Sequence, residues 1–426
     1  MGFSRKRYEL APETGLTVIT DKKFKTNLID IRFITRLSDE RAASNTLALS
    51  IISSCCAKYP TQSLMSRRLQ SLYGSAVSSS STKVGDNQVV SLHGSYIGDC
   101  YTMSEEKYSD KFLDLFFSCI FEPSLCGNGF EEAVFEQKKQ NLLEDIDAQI
   151  NSKRSYAGAQ AMLTIFGGEP AAVLTTGNKQ QAEALTPVGV YNAFCELLKT
   201  ARIEIIFSGG NSDGIYELIR DKFGSVERAP VPCTYYSRSL PKSEPARVSE
   251  KMDVSQCNLV MALKSDGQCD EDTMFVLNKI FGGSTFSKLF MNVREKMSLC
   301  YFCSSTVIAS KNVLFISSGI EKDNIAKAEE AILRQLYDIA DGQFTDDDMK
   351  YAVISLENTL YGASDRISGL ADIEFMQIFK NNGKSSVEDM INGYRGVTRD
   401  GIIALAKRFV LDTVYVLEND GSAEVE

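Results

Sequence analysis

A chain of 426 residues is longer than one hydrophobic core commonly fills, so two domains of about 200 residues each are the starting expectation. With 43% hydrophobic and 24% charged residues it reads as a soluble globular protein, and no run of about 18 apolar residues is present to span a bilayer. The net charge of -10 argues against a nucleic-acid or anionic-membrane surface, since both need clustered Lys and Arg.

The opening "MGFSRKRYELAPETG" has basic residues without an apolar core behind them, so it does not read as a secretory signal. Lys6 stands where a myristoylation site wants Ser or Thr. "TNLIDIRFITRLSDE" (26–40) alternates like a strand and ends in a polar, acidic turn. "LMSRRLQSLYGSAVSSSSTKV" (64–84) gives an apolar-striped helix and then a small-residue strand carrying Ser78–Ser81. "QVVSLHGSYI" is another alternating strand and holds His93, the single histidine. One histidine cannot build a His-His metal site within the chain. A Ser-His-acid triad around His93 is formally open, but no G-x-S-x-G elbow presents a nucleophile, and His93 reads as a strand residue.

"FEEAVFEQKKQNLLEDIDAQINSK" (130–153) is a long helix with Phe135, Leu142, Ile146 and Ile150 on its buried side. Pro230, Pro232, Pro241 and Pro245 then mark an extended linker, since proline removes backbone donors and fixes φ. The expected domains are 1–228, a linker at 229–248, and 249–426. Beyond the linker, "CNLVMALKSDGQCDED" (257–272) resembles 26–40, and "LFMNVREKMSLCYFCSSTVIA" (289–309) resembles 64–84. The offset stays close to 230 in both pairs, which points to a duplicated α+β unit: an antiparallel sheet covered on one face by helices. "RDGIIALAKRFV" and "TVYVLEND" close the chain as a helix and a strand.

The eleven cysteines are an odd number, scattered and often in apolar company (Cys119, Cys195, Cys257), and read as reduced core residues of a cytoplasmic protein. Cys55-Cys56 reads as packing on a helix. Cys300 and Cys303 lie on a strand, where residues i and i+3 point to opposite faces, so they read as structural.

"STFSKLFMNVREKM" has an apolar stripe at Phe286, Leu289, Phe290, Val293 and Met297, and "LCYFCSSTVIAS" follows as a strand. Arg294 and Tyr301 therefore flank a helix-to-strand corner. Gly282-Gly283 reads as the turn opening that helix and fails the phosphate-loop spacing. The stretch "FGGSTFSKLFMNVREKMSLCYFCSS" resembles the C-terminal signature of the pitrilysin/insulinase/mitochondrial-processing-peptidase family, and the order of elements, the duplication and the linker extend the likeness over nearly the whole chain. That resemblance implies an α+β fold of two duplicated halves forming one half of a clam-shell. Active members carry an inverted zinc motif, His-x-x-Glu-His, before the Tyr-Pro region. Here "NTLALSIISSCCAKYP" supplies neither histidine nor glutamate in any register, and Glu136 is the nearest match to the third ligand. A lone carboxylate does not hold zinc at useful affinity.

The resemblance thus implies an inactive member with no cofactor of its own. Some family heterodimers place zinc on one chain and the substrate-contacting Arg and Tyr on the other. The expectation is a non-catalytic subunit that binds peptide and lends Arg294 and Tyr301 in trans to a zinc-bearing sister. An arginine fork can grip a carboxylate, and a phenol can donate to an oxyanion. The alternatives are a peptide-binding scaffold or assembly factor, alone or as a homodimer, and, least favoured, an autonomous zinc protease. Neither nucleic acid nor a membrane is an expected partner. The plainer alternative for the corner is an exposed helix end beside a half-buried strand tyrosine.

Overall fold

"TNLIDIRFITR" builds β3 (Thr26–Arg36), buried on both sides over most of its length. The computed structural model describes residues 4–103, 105–381, 383–384 and 386–420; the Met-Gly opening lies outside them. Strand β3 lies within a six-stranded sheet with β1 (Ser4–Ala11), β2 (Thr14–Thr20), β4 (Ala76–Val84), β5 (Asn87–Ile97) and β8 (Arg202–Gly209), in the order β1-β2-β8-β3-β5-β4. The small hairpin β6 (Leu125–Cys126) and β7 (Gly129–Phe130) stands apart from it. Alternation along β3 sorts its residues between the two faces. Ile29, Ile31 and Phe33 join Leu47, Phe112, Phe116, Phe135 and Phe194 in one core, supplied by the helices Ala42–Ile52, Tyr108–Phe121, Glu132–Ala148 and Pro187–Thr200. Leu28 and Ile34 face the other way and meet Leu370, Phe375 and Phe379 of the helix Ile367–Lys380.

A second sheet contains β9 (Ala246–Met252), β10 (Cys257–Ser265), β11 (Cys300–Ile308), β12 (Val313–Ile320) and β13 (Phe409–Asn419), in the order β11-β12-β10-β13-β9. Val260 and Ala262 of β10 pack with Ala157, Ala161 and Ile165 of the helix Lys153–Ile165. The helices Glu271–Phe281, Ile325–Ala340 and Arg399–Ala406 pack on one another in the same unit.

The two topologies are the same. Starting from a parallel pair, β2-β8-β3-β5-β4 repeats as β9-β13-β10-β12-β11, with every other neighbour antiparallel. The stretches alike in sequence, 26–40 with 257–272 and 64–84 with 289–309, contain β3 with β10 and β4 with β11. The first unit adds β1 at its open edge. This is the α+β duplication read from the sequence.

The compact units are not continuous in sequence. One comprises 1–147, 173–235 and 364–380; the other comprises 148–172, 236–363 and 381–426. Each sheet therefore receives one helix from the opposite half of the chain. The long helix ends at Ala148, a short 3₁₀ turn follows, and Ile150, expected on the buried side, is 41% exposed. The Pro-rich stretch lacks helix and strand only over 229–245, since the last three residues of the expected linker already belong to β9. It is pinned: the Val231 amide donates to Thr200 O and the Lys242 amide to Asp412 Oδ1. Among the described residues no helix is long and apolar enough to cross a membrane.

Candidate functional site

The segment before β11 is helical over Leu289–Lys296, but it is a π-helix rather than an α-helix. The Met297 amide reaches back five residues to Asn292 O, and Leu299 N closes the end on Val293 O. Leu289 and Val293 are fully buried, whereas Met297, expected on the same stripe, is 52% exposed because the wider turn moves it off the face. Gly282 permits the close approach of this segment to β11. A Cβ there would stand 2.5 Å from both Leu289 Cδ1 and Ser305 Oγ. The glycine pair thus serves packing, in keeping with a turn rather than a ligand loop.

Arg294 leaves the π-helix with its guanidinium 4.6 Å from the Phe290 ring centre and its Nε 3.6 Å from Glu295 Oε1. Tyr301 is 62% exposed, and its hydroxyl donates to Glu321 Oε1 at 2.7 Å. The corner exists, and each side chain has its own separate partner within it. Tyr301 is the extra residue of a β-bulge: Cys300 pairs with Ile320 and Phe302 with Gly319, so Tyr301 has no partner across the ladder. Since β11 is a sheet edge, the bulge turns the phenol outward.

The bulge also corrects the reading of Cys300 and Cys303. Strict alternation would place them on opposite faces, but an extra residue between them reverses the phase. Their ladder partners Ile320 and Ser318 are two apart, so both thiols share one face. The Cys303 thiol, aided by Ser318 and the Arg294 charge, brings the Cys300 thiol down to about 7 against the opposing effect of burial. Cys303 is pushed well above the ordinary value, by Cys300 first and then by burial. Cys55 and Cys56 lie just past the Ala42–Ile52 helix rather than on it, in the core with Cys119; Cys195, expected in apolar company, is exposed.

The helix Ala42–Ile52 opens the stretch that the family resemblance sets against the inverted zinc motif. Its two less buried positions one turn apart are Thr46 and Ser50, the i and i+4 relation that two imidazoles would need. Thr46 is engaged otherwise: its hydroxyl contacts Ser81 Oγ at 2.8 Å and donates to Thr175 O at 2.6 Å. Gln88 is buried beside it and donates to Ala42 O and Thr175 O, while Asn45 donates to Gln88 Oε1. A closed amide-and-hydroxyl network occupies the position. Glu136 lies on an exposed face of its helix. Among the described residues no group of three His, Cys, Asp or Glu side chains could hold a metal.

His93 has partners the sequence reading did not assign. Its Nε2 is 2.8 Å from Ser80 Oγ on β4, and its Nδ1 is 2.9 Å from Asp30 Oδ1 on β3. Asp30 is 1% exposed and accepts from Arg32 Nε at 2.8 Å through its other oxygen. Burial would raise this carboxyl, but His93 and Arg32 together outweigh it and hold it below the ordinary value. One signal was available. The two-residue loop Gly85-Asp86, with Gly85 at φ +59°, fixes the β4-β5 register and sets Ser78 opposite His93, one face position from Ser80. Asp30 comes from a strand pairing that no local pattern fixes.

The fold is a duplicated α+β unit whose helix Ala42–Ile52 carries hydroxyls, not imidazoles, at its two half-buried positions one turn apart, and its likenesses lie among M16 peptidase homologues. A family model described as "Peptidase M16 inactive domain" matches residues 190–356. The chain is 25% identical over 414 residues to a Bacillus subtilis (strain 168) protein named "Probable inactive metalloprotease YmfF", covering 96% of this chain and 97% of that one. In fold it is similar to a conserved protein from Enterococcus faecalis V583, with a TM-score of 0.90, 24% identity and coverage of 99% and 100% of the two chains. It also resembles a "peptidase M16 inactive domain" structure from Pseudomonas fluorescens, with a TM-score of 0.79, 15% identity and coverage of 99% and 100%.

Proposed function

We propose that this chain is a non-catalytic, peptide-binding subunit that lends Arg294 and Tyr301 to a zinc-bearing sister chain. The observation that supports this reading is the outward presentation of both groups at one corner. Tyr301 is lifted from an edge strand by a bulge, and Arg294 is 39% exposed over a phenyl ring, held by one loose ion pair. A guanidinium in that state can exchange Glu295 for a peptide carboxylate at little cost, because exposed ion pairs contribute little. The Tyr301 hydroxyl can turn from Glu321 to a carbonyl that is gaining negative charge. Both functions act on a substrate, and neither requires the metal to sit on the same chain.

The test is reconstitution: the chain is mixed with a homologue that bears His-x-x-Glu-His, and peptide turnover is followed with wild-type, Arg294→Ala and Tyr301→Phe proteins. Turnover that needs both chains and falls in both variants supports the reading. Turnover by the zinc chain alone, unchanged on mixing, removes it. The second reading, a peptide-binding scaffold, is favoured by the open edges at β4 and β11, where an extended peptide could add as a further strand. Peptide binding without any sister chain would select it.

A further inference from the structure

Ser80, His93 and Asp30 come from three neighbouring strands and point to one face of the first sheet. Asp30 pairs with His93 across β3-β5, and His93 pairs with Ser78 across β5-β4, two residues from Ser80. The distances of 2.8 Å and 2.9 Å join hydroxyl, imidazole and carboxylate in one line. Asp30 Oδ1 is buried with no hydrogen-bond partner among the described residues, and His93 Nδ1 stands 2.9 Å from it. The second oxygen is held by Arg32, whose own Nη2 also reaches Asp372 at 2.6 Å. The acid is thereby fixed in orientation and charge, the imidazole is half-buried, and the hydroxyl is open to solvent on the edge strand.

We infer that Ser80, His93 and Asp30 are a nucleophile, base and orienting acid that take up acyl groups from activated esters. With Nδ1–H turned to Asp30, the His93 ring presents its Nε2 lone pair to the Ser80 hydroxyl. As Ser80 Oγ bonds to the acyl carbon, its proton passes to Nε2. The ester C–O bond breaks and the departing alkoxide takes that proton, leaving acyl-Ser80 and an alcohol. Water then adds to the acyl carbon, gives a proton to Nε2, and Ser80 recovers it as the acid leaves. The net reaction is ester plus water to acid plus alcohol, with Asp30 ionised throughout.

The substrate class follows from what surrounds the hydroxyl. Ser80 lies mid-strand, not on a strand-to-helix turn where backbone amides converge on an oxyanion. Loss of such donors costs about 10²–10³ in rate, which a good leaving group can offset and a peptide amide cannot. Esters with acidic alcohols are therefore the expected acyl donors. This activity is independent of the subunit role proposed above and uses no residue of the Arg294 corner.

The experiment is labelling of the full chain with a fluorophosphonate, in which Ser80 Oγ displaces fluoride at phosphorus and His93 takes the proton. Intact mass and peptide mapping should find one adduct, on Ser80. Ser80→Ala should lose it, and His93→Gln should slow it about 10²-fold, the usual contribution of a positioned base. Labelling equal in wild type and Ser80→Ala, or spread over many serines, overturns the inference. So does an undiminished rate in His93→Gln, which would leave Ser80 a merely exposed hydroxyl. Should His93→Gln melt below the assay temperature, the Ser80→Ala comparison decides alone, since that side chain is exposed on an edge and its loss opens no cavity.

Discussion

The guanidinium of Arg32 lies 4.4 Å from the centre of the Phe375 ring, joining an early strand of the chain to a helix near its end. The same guanidinium binds Asp30 and Asp372, and Phe375 is 2% exposed among Leu28, Ile34, Leu370 and Phe379. Phe375→Ala should destabilise the first unit by about 3–5 kcal/mol, the range for truncating a buried phenyl group. Urea unfolding measures it. A loss under about 1 kcal/mol would mean that helix Ile367–Lys380 rests on the sheet without bearing on its stability.

At the corner, the informative substitution is Arg294→Lys. If the guanidinium grips a carboxylate with two nitrogens, lysine should be nearly as damaging as alanine to turnover in the reconstituted pair, because an ammonium is a single point charge. Tyr301→Phe should cost on the order of 10²-fold in kcat, as loss of one charge-stabilising donor does. Circular dichroism melts should stay unchanged, since both side chains are largely outside the core. Full activity with lysine would reduce Arg294 to a source of positive charge.

Cys56 and Cys300 are both brought down to about 7, but Cys56 is fully buried, so Cys300 should be the thiol that shows acid-shifted reactivity. In a variant with the exposed Cys100, Cys126 and Cys195 changed to serine, iodoacetamide should modify Cys300 with a midpoint at about pH 7. The sign is fixed by the thiolate being the nucleophile: the rate is full above that pH and drops about tenfold per unit below it. Cys303→Ser or Arg294→Ala should move the midpoint upward, because each removes a group that favours the thiolate. A midpoint that ignores both substitutions would show that the bulge does not bring these groups together.

Proteolytic nicking within 228–248 should not release two separable halves. Residues 148–172 belong to the unit built mostly after the nick, and 364–380 to the unit built mostly before it. On size exclusion the nicked protein should elute as intact chain and come apart only in denaturant. Two folded fragments eluting separately in buffer would contradict the unit composition.

The duplication was legible in the sequence because β3 and β10 each carry an alternating apolar run and an acidic turn, and β4 and β11 each follow a striped helix. Other features were not legible. An amphipathic stripe says that the helices Lys153–Ile165 and Ile367–Lys380 bury one side, but period carries no information on which sheet receives it. The bulge at Tyr301 escaped because the period-2 rule assumes an unbroken ladder, and this one error misplaced Cys300 relative to Cys303. The His93 partners escaped for a related reason. The Gly85-Asp86 loop fixes the serine side locally, whereas Asp30 arrives through a pairing of strands that are far apart in the chain. The absence of the zinc motif, by contrast, was plain from residue types alone.

The exchange of helices between the two halves sets a timetable for synthesis. The ribosome delivers all six strands of the first sheet by Gly209, yet the helix that covers Leu28 and Ile34 begins only at Ile367. For that interval the nascent chain holds a finished sheet with one apolar face still wet. An exposed surface of that kind invites chaperones or a neighbouring nascent chain. Stop codons or truncations between Gly209 and Ile367 should therefore yield aggregation-prone products rather than a stable half-protein, although the missing piece is a single helix.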